Sequence, residues 1–389
     1  MCTSLLSAIL GTILSAALTS ANGDPAGRFP HQTPMSTPVE TGPKREVILV
    51  AQRQLPARTS RLYALDPDTL EPLGHFTING SLHSLTASPD GSKLFFEAIP
   101  NGSNGCCVLF ALDLATRKVC RLIHPSGPAV VTPDGRWLFT QRGNVGIEVF
   151  DAKTLARQPT IGAPGGYDMR PSPDSRWLFG TTNWQVPSLD IFDLQSRSFY
   201  RHLPIPGGLH GRGVWLGDDY YLFAYDGKQG NLWKVSPHTE ALGASLTVAL
   251  PHTGGNDPPI LHLLTPVGER LFLYELFGYK LDRRYKLGES VPGGVFAIDP
   301  SSGKVLGHFA PSAHFGRLMG SADGHWLYGV DSGRLQWQGP VRLLKLDAES
   351  GEIMAERELA TDPWAMAVAT LPERFVPQGE VKTSSCGIP

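Results

Sequence analysis

Apolar runs of four to six residues recur along the chain between tight polar turns. The clearest copies place Ser88-Pro89-Asp90-Gly91 before Lys93-Leu94-Phe95-Phe96 and Thr132-Pro133-Asp134-Gly135 before Trp137-Leu138-Phe139. Two more place Ser172-Pro173-Asp174-Ser175 before Trp177-Leu178-Phe179 and Ser321-Ala322-Asp323-Gly324 before Trp326-Leu327-Tyr328. Proline presets φ, Asp bonds the backbone ahead of it and Gly takes the left-handed position, so each block predicts two strands reversing within a few residues. A second apolar run then ends on Asp66, Asp113, Asp151, Asp193, Asp299 or Asp347, with Ser236 in the equivalent place once. Seven such marks, 38 to 63 residues apart, predict seven repeats of several strands each. That period and content predict an all-β, seven-bladed β-propeller.

The chain ends fit closure of a ring. One strand, 47–51, precedes the first mark, and one candidate strand, 365–369, follows the last. Together they complete one blade, so the N- and C-terminal strands are expected to pair and remove the open sheet edges. The propeller is therefore expected over 45–376, preceded by a signal peptide (1–21) and a Pro-rich linker (22–44) and followed by a tail (377–389).

Composition supports this reading. Gly (43) and Pro (33) make up about a fifth of the 389 residues, against roughly 12% on average. A net charge of −2 gives no reason to expect nucleic acid or an anionic membrane surface as a partner. The apolar stretch 5–18 is too short to span a bilayer and ends on small residues, which predicts export to a periplasmic or extracellular space. It lacks a preceding Lys or Arg, which leaves an uncleaved anchor as the alternative. After loss of Cys2, four cysteines remain: Cys106, Cys107, Cys120 and Cys386. An exported chain is expected to use them structurally, with three connectivities open. Asn79-Gly80-Ser81 and Asn101-Gly102-Ser103 match the glycosylation triplet.

In a four-stranded blade both marked turns lie on one face of the disc, and they are short and alike. The other connections vary in every blade, and variable loops on a rigid scaffold are where binding concentrates. The innermost strands begin on that second face, at the mouth of the central channel. Their entrances carry His83; Tyr167, Asp168 and Arg170; His210 and Arg212; His262; His314 and Arg317; and Trp364. Imidazole and guanidinium groups from five blades suit an anionic ligand, a carboxylate or a metal; the same groups equally suit bridges between blades or channel water. No pair has His-Glu-x-x-His spacing, so no metal is expected. Nucleophile-elbow, haem-attachment, phosphate-loop and dinucleotide signatures are absent from the sequence, and no catalytic residue is singled out. The run Gly207-Gly208-Leu209-His210-Gly211-Arg212-Gly213 is read as a flexible connection.

One excursion stands apart. From Tyr274 to Lys286 aromatics mix with cations, and Phe277, Tyr279, Arg283, Arg284 and Tyr285 suit a protein contact. A solvated hairpin tip is the other reading of this segment.

The phrases Phe296-Ala297-Ile298-Asp299-Pro300-Ser301-Ser302-Gly303-Lys304 and Leu344-Lys345-Leu346-Asp347-Ala348-Glu349-Ser350-Gly351-Glu352 resemble the seven-bladed YVTN-type propellers. Within that group the chain resembles the heavy (β) chain of quinoprotein amine dehydrogenases over most of 46–370. The resemblance implies a non-catalytic scaffold that docks a small subunit carrying a tryptophan-derived quinone, with no cofactor in this chain. A stand-alone ligand-binding or lactonase-like propeller using the channel mouth, and a cell-surface interaction module, are the alternatives.

Overall fold

The computed structural model describes residues 43–54, 59–101, 107–123, 127–142, 146–162, 167–182, 187–206, 211–225, 229–250, 261–276, 293–332, 340–361, 363, 365–373, 378–380 and 382–384. The expected signal peptide (1–21) and residues 22–42 of the expected linker lie outside these residues, and Lys44, assigned to the linker in the sequence, is the first residue of β1. Three strands open the first blade: β1 (Lys44–Gln54), β2 (Thr59–Leu65) and β3 (Pro72–Asn79). Blade 2 follows with β4 (Ser81–Ala87), β5 (Lys93–Ile99), β6 (Val108–Asp113) and β7 (Lys118–Arg121). Blade 3 holds β8 (Val130–Val131), β9 (Trp137–Gln141), β10 (Ile147–Asp151) and β11 (Arg157–Ile161), and blade 4 holds β12 (Tyr167–Pro171), β13 (Trp177–Thr182), β14 (Ser188–Asp193) and β15 (Ser198–Pro204). Blade 5 comprises β16 (Gly211–Leu216), β17 (Asp219–Tyr225), β18 (Gly230–Val235) and β19 (Leu246–Val248). Blade 6 comprises β20 (Leu261–Val267), β21 (Arg270–Leu276), β22 (Val295–Ile298) and β23 (Val305–Phe309). Blade 7 comprises β24 (Phe315–Gly320), β25 (Trp326–Asp331), β26 (Val341–Asp347) and β27 (Ile353–Leu359).

Strand β28 (Ala365–Pro372) then returns to the first blade and pairs antiparallel with β1, Leu49 opposite Ala367. Seven sheets result, and the first is completed from both ends of the chain as the sequence predicts. The tail goes further than expected. Residues Gln378–Glu380 (β29) pair parallel with β3, and Lys382–Ser384 (β30) pair parallel with β7.

The apolar runs have a simple cause. Second and third strands of a blade lie between neighbouring blades on both faces, so β9 (WLFTQ) and β13 (WLFGTT) are buried throughout. Outer strands keep one face in water, and β11 and β27 accordingly alternate between exposed and partly buried positions. Among the described residues the core is divided rather than single. Buried side chains form seven clusters, one per interface, including Ile48, Val50, Tyr328, Val330, Leu343 and Met366 between blades 7 and 1.

Each marked turn is wired in the same way. The hydroxyls of Ser88, Thr132, Ser172 and Ser321 donate to the Asp two residues on and accept from the N–H five residues on. Gly91, Gly135 and Gly324 then sit at φ +71°, +68° and +75°. Ser175 takes the same left-handed position at φ 60° and accepts the Asp134 N–H from blade 3 at 3.0 Å, an interblade tie that glycine could not make. Blades 5 and 6 depart from the motif and reverse through Gly217-Asp218 and Gly268-Glu269 instead. In the second turn the carboxylates of Asp66, Asp151 and Asp347 each accept two backbone N–H groups.

Candidate functional site

The entrances to the innermost strands are shaped by irregularities in the ladder. Between β4 and β5 the register slips from Leu82↔Ala98 to Ser84↔Glu97, leaving His83 as the extra residue. In blade 7 it slips from Phe315↔Asp331 to Arg317↔Val330, with Gly316 between. Bulges of this kind re-aim side chains, here at the start of two innermost strands. Ser60 fixes the first of them by donating to the Gly80 carbonyl at 2.9 Å and accepting the Leu82 N–H at 3.0 Å.

Asp168 anchors the opposite side. Its carboxylate, with the side chain only 9% exposed, receives Arg170 Nη1 at 2.9 Å and Arg212 Nη1 at 3.0 Å, joining blades 4 and 5. Beneath it Phe179, Trp215 and Tyr220 pack with ring centroids 4.6 to 5.2 Å apart. Tyr220 is fully buried, and burial followed by the Asp168 charge pushes its pKa upward. Gly213 makes this possible: a Cβ there would fall 2.3 Å from the Tyr220 ring. The glycine run is thus partly strand β16, with Gly213 required by packing, rather than a flexible connection throughout.

Electrostatics links the two sides. His83 interacts with Arg53 of β1 and Arg317 of β24, and burial together with these two cations lowers its pKa, so it stands neutral at neutral pH. Tyr274 interacts with Arg317, Arg170 and Asp168; burial raises its pKa to about 12, and its hydroxyl engages the Leu318 backbone. Read in the sequence as the start of the aromatic excursion, Tyr274 is instead a buried residue of β21. Arg170 and Arg212 of blades 4 and 5 thus share the buried Asp168 carboxylate, while Arg53 and Arg317 of blades 1 and 7 both act on His83. The Nε atoms of Arg53 and Arg212 are buried without a hydrogen-bond acceptor, as are Tyr220 OH and Thr181 Oγ1.

Of the other predicted site residues, the His314 imidazole lies beside Gly293 in the interface of blades 6 and 7, and the His314 backbone N–H donates to Asp331 Oδ1 at 2.9 Å. His262 opposes Glu275 in the β20–β21 ladder, and Tyr167 opposes Thr182. His210 and Trp364, and the partner-contact residues Phe277, Tyr279, Arg283, Arg284 and Tyr285, lie outside the described residues. Among the described residues no three His, Cys, Asp or Glu side chains converge on a metal position. Tyr220 and Thr181 were not legible as site residues, because each sits on a second strand whose composition marks it only as core.

Glu97 is a second unmarked group. It lies on β5 at 7% exposure, with Ser84 donating to Oε2 at 2.9 Å and Oε1 unpartnered. Burial, opposed by the Ser84 bond, raises its pKa to about 7. The remaining buried acids of blades 3 and 4 are engaged by their own outer strands. Arg157 grips Glu148 at 2.6 and 2.7 Å, and His202 meets Asp190 at 2.7 Å.

No protein-family model matches the chain, and no curated protein matches it in sequence. Solved structures do match in fold. A dihydro-heme d1 dehydrogenase, NirN, superposes with a TM-score of 0.52 at 16% identity, over 85% of this chain and 76% of that one. A putative 6-phosphogluconolactonase from Bacteroides uniformis gives 0.54 at 15% identity, over 84% and 99%. The β-propeller domain of the Trilobed protease from Pyrococcus furiosus gives 0.50 at 16%, over 73% and 84%; that domain is described as having an open velcro topology, whereas here β1 and β28 close the ring. At these identities the likeness extends to the fold alone, and the chain is a seven-bladed β-propeller.

Proposed function

We propose that the chain is an exported propeller that binds a small anionic molecule, a carboxylate in the first instance, at the channel mouth. The observation that carries this reading is the gathering of cations at the entrances of the innermost strands: Arg170 and Arg212 share the buried Asp168 carboxylate, and Arg53 and Arg317 both act on His83, which is neutral. A buried N–H without an acceptor costs roughly 1–3 kcal/mol. A carboxylate brought to Arg53 and Arg212 supplies the missing acceptors through charge-assisted bonds. Hydrolysis of a lactone, which generates a carboxylate in place, is the catalytic extension of the same site. The amine dehydrogenase scaffold reading gains no support from described residues, since its contact segment lies outside them.

The test is calorimetric titration with a panel of mono- and dicarboxylates, hydroxy acids and their lactones, on the wild type and on Arg53→Met and Arg212→Met. Binding is expected to weaken about tenfold or more for each guanidinium removed, given roughly 1.5–3 kcal/mol per hydrogen bond to a charged group. Binding should also fall with salt. Absence of carboxylate binding to the wild type, or amine-dependent dye reduction by the chain with a small quinone-bearing partner, overturns the proposal.

A further inference from the structure

Blades 7 and 1 meet along the seam where the chain ends close the ring, and their packing leaves a cavity of about 210 Å³. Alternation along β1 sends Ile48, Val50 and Gln52 toward blade 7, whereas Val47, Leu49 and Ala51 pack toward blade 2. Arg53, one residue on, falls on the blade 2 side with His83. Val50, Leu65 and Leu359 give the cavity buried apolar walls, and Glu358 and Ala360 stand exposed at its opening.

Gln52 breaks the apolar pattern. It is 7% exposed and lines the cavity, yet among the described residues its side-chain amide has no hydrogen-bond partner. The hydroxyl of Tyr63, whose ring lies 5.5 Å from that of His75, has none either. Buried amides are normally paired, because an unmatched donor or acceptor keeps its full desolvation cost.

Charge and hydrogen-bond inventory narrow what could supply the partners. The cation of the lining, Arg357, is already engaged by Glu71 at 2.7 Å and by the Leu70 carbonyl at 3.3 Å. Arg61 opposes Gln52 in the ladder but is exposed and outside the lining. A carboxylate entering here would lose its water beside the Glu358 acid and, being an acceptor only, would leave the Gln52 carbonyl unmet. An ammonium, a donor only, would leave the Gln52 amino group unmet. An uncharged carboxamide carries both functions and answers both. Size sets the rest of the molecule. A dry cavity of about 150 Å³ holds benzene, so this one admits a ring with one small substituent.

We infer that the cavity between blades 7 and 1 binds a compact uncharged carboxamide, with its apolar body against Val50, Leu65 and Leu359 and its amide paired with Gln52. Tyr63 is available as a further partner for the same head group. This site is separate from the carboxylate site at the channel mouth, and neither requires the other.

The experiment titrates the full chain, with isotope-labelled Leu and Val methyl groups, against benzamide, benzoate and benzylammonium by NMR. Benzamide is expected to shift the Val50, Leu65 and Leu359 methyl signals with a Kd on the order of 1 mM, the range for so small a ligand. Benzoate and benzylammonium should act on these signals about tenfold more weakly. Gln52→Leu keeps the volume and should weaken benzamide about tenfold. Ala360→Phe alters only an exposed position and should close the opening, abolishing the shifts while methyl signals elsewhere stay in place. No shift at these methyls up to the solubility limit of benzamide overturns the inference. So does unchanged benzamide binding in either variant, or benzoate or benzylammonium binding there as tightly as benzamide.

Discussion

Glu97 carries the clearest pH signature of any single residue. Its carboxyl is buried beside Ser84 with one oxygen unpartnered, and its folded-state pKa of about 7 stands above the ordinary 4.5. The folded protein therefore holds this proton more tightly than the unfolded chain does. The associated stability is fully present below pH about 4.5 and is lost as pH rises through about 7. Glu97→Gln should abolish that loss, so thermal unfolding of wild type and variant should converge near pH 4 and differ by up to roughly 3 kcal/mol at pH 8, with the variant the more stable. The reverse order at pH 8 would show that the ionised carboxylate has a partner in the folded protein. Nothing in the sequence marked Glu97, because its neighbours Phe95, Phe96 and Ala98 identify only a buried strand.

At the scale of elements, the packing of β16 on β17 shows how strand pairing builds a site wall. Gly213 lies under the Tyr220 ring, and the ring fills the space between blades 4 and 5 next to Asp168 and its arginines. Gly213→Ala puts a methyl 2.3 Å from that ring and is expected to cost roughly 2–4 kcal/mol by overpacking. Tyr220→Phe keeps the volume, removes an unpartnered buried hydroxyl and is expected to stay within about 1 kcal/mol of wild type. Urea titration of the two variants measures both; a loss in Tyr220→Phe as large as in Gly213→Ala would mean that the hydroxyl is bonded. The glycine run was visible in the sequence, but its purpose depends on a residue seven positions away on the next strand.

The whole molecule is a ring in which each interface supports the next. Leu343 is fully buried between blades 7 and 1, where the chain ends meet. Leu343→Ala should cost about 2–5 kcal/mol. In a closed ring that loss lowers one cooperative transition in scanning calorimetry. In an open array the terminal blades would melt separately and produce two. Polar ties across the same seam point the same way: Lys345 Nζ reaches Asp68 at 2.9 Å, Arg357 reaches Glu71 at 2.7 Å, and the Ala322 N–H donates to Glu46 at 2.7 Å.

Repeats, turn chemistry and closing strands were legible because each is a local consequence of residue order. Ser/Thr-Pro-Asp-Gly bends the chain wherever it stands, and strands buried on both faces must be apolar. The candidate site was legible only in part. His83, Asp168, Arg170, Arg212 and Arg317 declare themselves as polar residues at the entrances of innermost strands. Arg53, Tyr220 and Tyr274 become neighbours of that group only once blades 1, 5 and 6 turn about the axis, which brings residues more than a hundred positions apart into electrostatic contact. Local sequence thus determined the blades, whereas charge convergence at the hub and the tail's course along the rim were decided by ring closure, since both depend on distances that exist only in the closed circle.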